Sequence, residues 1–269
     1  MISPKLVEVG RHLNIALHTL TTLESIDGEA GNFSITLKQA PRYVDMDKCI
    51  ACGECTKKCP GKAPDPFDEG LVKRKAIYVD YPQAVPLKYA IDPRYCFKLI
   101  KDKCGNCERV CPTGAINYED TEKIQTVNVG SVILAAGFQA FDPSGLDHLG
   151  YKSFPNVVTS IEYERLLSAG GPTSGHIECA PDRHAPKKIA WLQCVGSRDQ
   201  NKCGNTYCSS VCCMYAVKEA VMTRDHIEGE FQAAIFLMDM RTYGKDFEKY
   251  YDRAKDQGVR FVRSRIHTI

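Results

Sequence analysis

Four cysteines separated by two, two and three residues and followed by proline, Cys49-Ile-Ala-Cys52-Gly-Glu-Cys55-Thr-Lys-Lys-Cys59-Pro60, constrain this chain more than any other feature. A C-x2-C-x2-C triplet wraps around one [4Fe-4S] cubane, and the fourth cysteine, turned away by its proline, is delivered to a second cluster. Such a run needs a twin. Cys96, Cys104, Cys107 and Cys111-Pro112 supply it, with the first spacing stretched from two residues to seven, so residues 97–103 are expected to form a surface excursion. Crossing of the fourth ligands assigns Cys49, Cys52, Cys55 and Cys111 to one cluster and Cys96, Cys104, Cys107 and Cys59 to the other. Thiolate zinc also uses paired C-x2-C units, but two zinc sites require neither the triple run nor the proline behind it.

The other cysteines are unevenly spread. Of fourteen in 269 residues, eight lie between Cys49 and Cys111, five between Cys194 and Cys213, and Cys179 stands alone. Short spacings with no secretory leader favour metal ligation in a reducing compartment over a disulfide scaffold, so a cytoplasmic location is expected. With 35 basic and 33 acidic residues the formal charge is +2, which gives no field for nucleic acid or an anionic membrane surface. No apolar run reaches the length of a membrane span.

Apolar patterning places the cysteine segment inside another domain. A helix over KLVEVGRH is followed by strands over NIALHTLTTLESID and NFSITLKQ, separated by the turn-prone GEAGN. After the cysteines, TVNVGSVILAAGF resumes as a strand in which Val132, Ile133 and Leu134 read as buried. Beyond a proline-rich stretch come a strand over KKIAWLQCVGS, a helix over SSVCCMYAVKEAVMTRDH, a strand over QAAIFLMDMRT, a helix over FEKYYDRAKDQG and a strand over VRFVRSR. That order predicts an α/β fold with a parallel, doubly wound sheet of Rossmann type and an α+β insert. The expected domains are 1–40 and 119–185 (one partial domain, beginning as a β-meander), 41–118 (the two-cluster insert) and 186–269 (Rossmann-like).

Cys194 ends a strand in this scheme, Cys208, Cys212 and Cys213 open the following helix, and Cys203 lies between. In a dinucleotide-binding unit this turn carries glycines that cradle a pyrophosphate; here cysteines occupy it, and no GxGxxG sequence occurs. Spacing alone leaves a third metal cluster, buried structural thiols and a redox disulfide as alternatives.

The segments VEVGRHLNI, PRYVDMDKCIACGECTKKCP, VGSVILAAGF, LQCVGSRD, GNTYCSSVCCMYAVKEA and GVRFVRSR together resemble the A subunit of heterodisulfide reductase, an iron-sulfur flavoprotein of methanogens with relatives in other anaerobes. The resemblance implies a thioredoxin-reductase-like body, an inserted ferredoxin domain, and a third [4Fe-4S] cluster on Cys194, Cys208, Cys212 and Cys213, with Cys203 spare. It covers an internal portion of the family pattern, without the family's FAD fingerprint. Ala135, Ala136 and Gly137 are then flavin-contact candidates, against plain tight strand packing, and FAD is expected only where a partner chain completes the site.

The implied function is electron transfer: an iron-sulfur subunit of a heterodisulfide-reductase-like complex, passing single electrons between flavin and partner iron-sulfur subunits. It is expected to show no catalysis alone, and no catalytic residue is assigned. A structural assembly module, or service to a different terminal reductase, are the rivals. The seven histidines sit at no metal-ligand spacing. Lys57 and Lys58 suit a solvated helix face better than a docking patch, and the solitary Cys179 has no activating neighbour.

Overall fold

The computed structural model describes residues 2–269 as a mixed α/β chain in two units, residues 2–137 and 138–269. In the first, helix α1 (Ser3–Arg11) precedes strands β1 (Thr21–Glu29) and β2 (Asn32–Gln39), an antiparallel hairpin. Then come α2 (Glu54–Lys58), β3 (Lys62–Pro64), β4 (Lys73–Lys75), β5 (Ile77–Tyr78), β6 (Ala90–Ile91), α3 (Phe97–Lys101) and α4 (Asn106–Arg109). Strand β7 (Lys123–Val129) returns to pair antiparallel with β2, from Gln39↔Lys123 to Phe33↔Val129. The cysteine-rich stretch therefore leaves and re-enters between neighbouring strands of one three-stranded sheet, β1-β2-β7.

Both ends of that stretch are held together. Asp120 Oδ2 accepts the backbone N–H groups of Arg42 (2.8 Å) and Tyr43 (3.2 Å), Val44 bridges Ile116, and Asp45 N donates to Ala115 O. Inside, β3 pairs with β4 and β5 with β6. The core there has few aliphatic side chains: Val44, Ile77, Ile91 and two alanines pack with Cys49, Cys55, Cys96 and Cys107. Asp92, buried, pairs with the buried guanidinium of Arg74 at 3.1 Å and with Arg94 at 2.9 Å.

Two expected strand segments are absent. Residues 14–20 are not in a strand, because β2 already pairs with Thr21–Glu29 and the chain beyond Gln39 turns into the cysteine module. The strand after the module ends at Val129, opposite Phe33 at the start of β2. Val132 is half-buried, and Ile133 and Leu134 are 90% and 73% exposed, since nothing lies across from them to pair with.

In the second unit α5 (Ser160–Leu167), capped by Thr159 and Glu162, precedes β8 (Lys188–Leu192), α6 (Gln200–Cys203), α7 (Cys212–His226), β9 (Gln232–Leu237), α8 (Phe247–Asp256) and β10 (Arg260–Arg263). The three strands are parallel in the order β10-β9-β8. Trp191, Ile235 and Phe261 lie in one row of this register, and their face packs against Tyr163 and Leu167 of α5, Val217 and Ala220 of α7 and Ala254 of α8. Ala190, Leu192, Ala234, Phe236 and Val262 form the opposite face and take no part in that core. The sheet is thus covered by helices on one side only, a departure from double winding. Consecutive parallel strands added in one direction through right-handed crossovers place their helices on the same face.

Candidate metal centres

The two cysteine runs of the first unit fold as near-equivalent halves. Gly53 (φ +82°) and Gly105 (φ +144°) stand before α2 and α4, where a side chain would be strained, and each short helix carries the last cysteine of a C-x2-C pair, Cys55 or Cys107. The helices pack against each other, and Asn106 Nδ2 donates to Lys58 O. The expected excursion at residues 97–103 includes the short helix α3, with Phe97 and Ile100 exposed and Leu99 packed on the cysteine core.

Two pockets of similar size lie in this module. Cys49, Cys52, Cys55 and Cys111 line one; Cys59, Cys96, Cys104 and Cys107 line the other. Their exposures match in pairs: Cys49 and Cys55, like Cys96 and Cys107, are buried, Cys111 and Cys59 are half-buried, and Cys52 and Cys104 are exposed. Among the described residues no three Cys, His, Asp or Glu side chains close around a single metal ion. Four thiols lining one pocket have the chemistry for the corners of a multi-iron group, whereas a zinc ion at about 2.3 Å from each sulfur draws its ligands tightly together. The donor set fits [4Fe-4S] clusters.

Polar groups approach the thiols unequally. Cys111 Sγ accepts the backbone N–H of Ala115 at 3.3 Å and lies 3.6 Å from Thr113 Oγ1. Burial opposes ionisation of Cys111, but these donors together hold its pKa below that of an ordinary thiol. Burial pushes Cys55 up to about 11 and also raises Cys107. The Tyr118 hydroxyl is 3.0 Å from Cys107 Sγ, and the tyrosine lines the same pocket. Tyr118 belongs to no motif, and nothing in the local sequence marks it.

In the second unit, Cys194 follows β8 by two residues in a left-handed conformation (φ +62°) that non-glycine residues adopt at a cost. Cys212 and Cys213 open α7, while Cys208 lies in the loop before it, not in the helix, which starts only at Cys212. Hydrogen bonding links Cys194 and Cys213 to Cys212; as donors they hold Cys212 far below an ordinary thiol, while they themselves are pushed up. Ser210 N donates to Cys208 Sγ at 3.3 Å, and Cys208 is in the electrostatic field of Cys194. Arg198 and Arg241 both pair with Asp239, just past the end of β9, and act by charge on Cys194 and Cys208 respectively. The group therefore sits at the carboxyl end of a parallel sheet and the start of a helix, the usual place for ligands in such folds. Four thiols beside two guanidinium groups have the chemistry for an anionic iron-sulfur cluster. Cys203 ends α6, and burial raises the pKa of Cys179.

Ala135, Ala136 and Gly137 are exposed in irregular backbone. By themselves they enclose nothing, so no step through a flavin follows from them. No helix is long and apolar enough to cross a membrane among the described residues.

Residues 48–115 match the 4Fe-4S dicluster domain family. Over 98% of its length the chain is 40% identical to the A subunit of the H(2):CoB-CoM heterodisulfide,ferredoxin reductase of Methanothermobacter thermautotrophicus. Over the same share it is 45% identical to the A subunit of the H(2)/formate:CoB-CoM heterodisulfide,ferredoxin reductase of Methanococcus maripaludis. It is 42% identical, again over 98% of its length, to the iron-sulfur A subunit of the CoB-CoM heterodisulfide reductase of Methanocaldococcus jannaschii. It spans 39% of each of those proteins. The likeness to heterodisulfide reductase A subunits thus runs along nearly the whole of this chain and along about two fifths of the proteins it matches.

Proposed function

We propose that this chain is the electron-carrying iron-sulfur portion of a heterodisulfide-reductase-like oxidoreductase, relaying single electrons between a flavin and the iron-sulfur subunits of partner chains. The observation that carries this is the pair of four-thiol pockets at residues matched by a dicluster family. Cys49, Cys52, Cys55 and Cys111 hold one cluster and Cys59, Cys96, Cys104 and Cys107 the other; Cys194, Cys208, Cys212 and Cys213 hold a third. When bound, [4Fe-4S] clusters take up and release one electron at a time. The protein's part is to bury the inner thiols, supply hydrogen bonds to sulfur, and leave Cys52 and Cys104 at the surface, where a partner can exchange electrons.

The domains we assign are the two-cluster module at 41–118, a partial flavoprotein domain at 1–40 and 119–185, and a Rossmann-like domain at 186–269, together a thioredoxin-reductase-like body. The β2–β7 pairing supports joining 1–40 to the strand that follows the module, and the parallel β10-β9-β8 sheet supports the Rossmann-like domain, in whose core Tyr163 and Leu167 of the 119–185 segment also pack. FAD is bound where a partner chain completes the site, with Ala135, Ala136 and Gly137 beside it; their exposure leaves them accessible to such a chain. Fourteen free thiols suit a reducing, cytoplasmic setting.

Anaerobic purification with iron, sulfide and flavin analysis, together with electron paramagnetic resonance of the reduced protein, tests the proposal. Three cluster signals are expected, with FAD appearing only alongside co-purifying chains. A colourless protein carrying zinc, or clusters that partner subunits cannot reduce, overturns it.

A further inference from the structure

The two thiol pockets of the first unit are near-equivalent, yet their tyrosines differ. Tyr118 lines the pocket of Cys59, Cys96, Cys104 and Cys107, with its hydroxyl 3.0 Å from Cys107 Sγ. Tyr89 lines the pocket of Cys49, Cys52, Cys55 and Cys111, but its hydroxyl lies over Gly53, where an added Cβ would come within 3.4 Å of it, and among the described residues it bonds no thiol. We propose that Tyr118 is a positioning residue that raises the reduction potential of one cluster alone, by donating its O–H to Cys107 Sγ.

Once Cys107 is a thiolate ligand it has no proton to give, so the phenol is the donor. An electron added to the cluster increases the negative charge shared by its thiolates, and a hydrogen bond to one of them stabilises the reduced form more than the oxidised form. Burial strengthens the effect: Cys107 is 7% exposed, and the partly buried bond meets little competing water. The ring is itself anchored, packed against the cysteine core with Lys98 Nζ 5.8 Å from its centre. At the other cluster the shortest bond to sulfur is the backbone N–H of Ala115 on Cys111 at 3.3 Å, and the side-chain hydroxyls there stand farther off, Thr113 Oγ1 3.6 Å from Cys111 Sγ and Thr56 Oγ1 4.0 Å from Cys55 Sγ. Tyr118 is therefore a side chain whose short bond to sulfur acts on one cluster and not on its twin.

Because this rests on the ligand sets proposed above, the experiment reads the two separately. The full chain is loaded with iron and sulfide anaerobically, and potentials are followed by electron paramagnetic resonance in the unmodified protein, Tyr118→Phe, Tyr89→Phe and Cys59→Ser. Iron content should be unchanged in both tyrosine variants. In Tyr118→Phe the ratio of reduced to oxidised cluster at fixed potential should fall about tenfold for one signal, equivalent to 59 mV for a one-electron couple, and that signal should be the one lost in Cys59→Ser. Tyr89→Phe should shift neither. A fluorinated tyrosine at position 118, a more acidic and stronger donor, should move the same signal the opposite way, and it decides the matter alone if Tyr118→Phe loses iron. An unmoved potential, or equal shifts in both signals, overturns the role of Tyr118. A shifted signal that survives in Cys59→Ser overturns the ligand sets instead.

Discussion

Asp120 receives the backbone N–H of Arg42, 78 residues earlier in the chain, at 2.8 Å, and that of Tyr43 at 3.2 Å. One carboxylate thereby closes the neck through which the cysteine module leaves and rejoins its sheet. Asp120→Ala strands two N–H groups at a partly buried site and should cost about 1–3 kcal/mol. Asp120→Asn, which keeps an acceptor oxygen, should cost less. Urea unfolding of the iron-loaded chain, followed by cluster absorbance, measures both.

Cys111 closes the second run in sequence but shares a pocket with Cys49, Cys52 and Cys55 of the first. Cys111→Ser should therefore alter the same cluster signal as Cys52→Ser, while Cys59→Ser should alter the same signal as Cys104→Ser. Electron paramagnetic resonance and iron content of the four variants check the pairing. If Cys111→Ser groups with Cys104→Ser, the crossing is wrong.

Val44, Ile77 and Ile91 are too few aliphatic residues to sustain the cysteine module without its metal. Ligand-metal bonding takes the place of a hydrophobic core in such modules, so removing iron removes folding free energy. Chelation should abolish hydrogen-exchange protection at residues 42–118. The amides of Ile235 and Val217, both fully buried in the second unit, should keep theirs. Equal loss in both units would contradict this.

Glu219 is completely buried on α7, where Ser160 Oγ and Trp191 Nε1 (2.8 Å) donate to it and the Lys218–Glu164 ion pair lies nearby. Burial pushes its pKa up to about 7 from 4.5. The folded state thus keeps a proton that the unfolded chain releases. Stability from this group is complete below pH 4.5 and is lost as pH rises toward 7, by about 3 kcal/mol. Thermal unfolding of the loaded protein between about pH 5 and about pH 8 should show this decline, and Glu219→Gln should flatten it.

The cysteines that line each pocket are those grouped by the short spacings and by the crossing of each run's fourth cysteine, since two or three residues between cysteines leave little geometric freedom. The parallel β8–β10 unit was legible from its alternating strand and helix patterns, but not the side on which its helices pack, which depends on strand order. Residues 14–20 and Val132 to Leu134 have strand-like apolar patterns, yet no pattern within a segment reveals whether a partner lies opposite. The start of α7 at Cys212, leaving Cys208 in the loop, lay within the uncertainty of any helix boundary. Tyr118 and Asp120 act through contacts across the fold and had no local signature.

The register Gln39↔Lys123 puts the last residue of β2 opposite the first residue of the returning strand. Paired antiparallel residues lie about 5 Å apart, a gap that a two-residue turn closes. A host hairpin could thus have accepted the module as a cassette without moving any strand, and the reverse operation is open to experiment: excising residues 40–122 and joining the ends by a tight turn would leave a three-stranded sheet with its pairing unchanged. The cysteine module and the sheet that bears it are in this sense separable parts, able to be lost, exchanged or grafted independently.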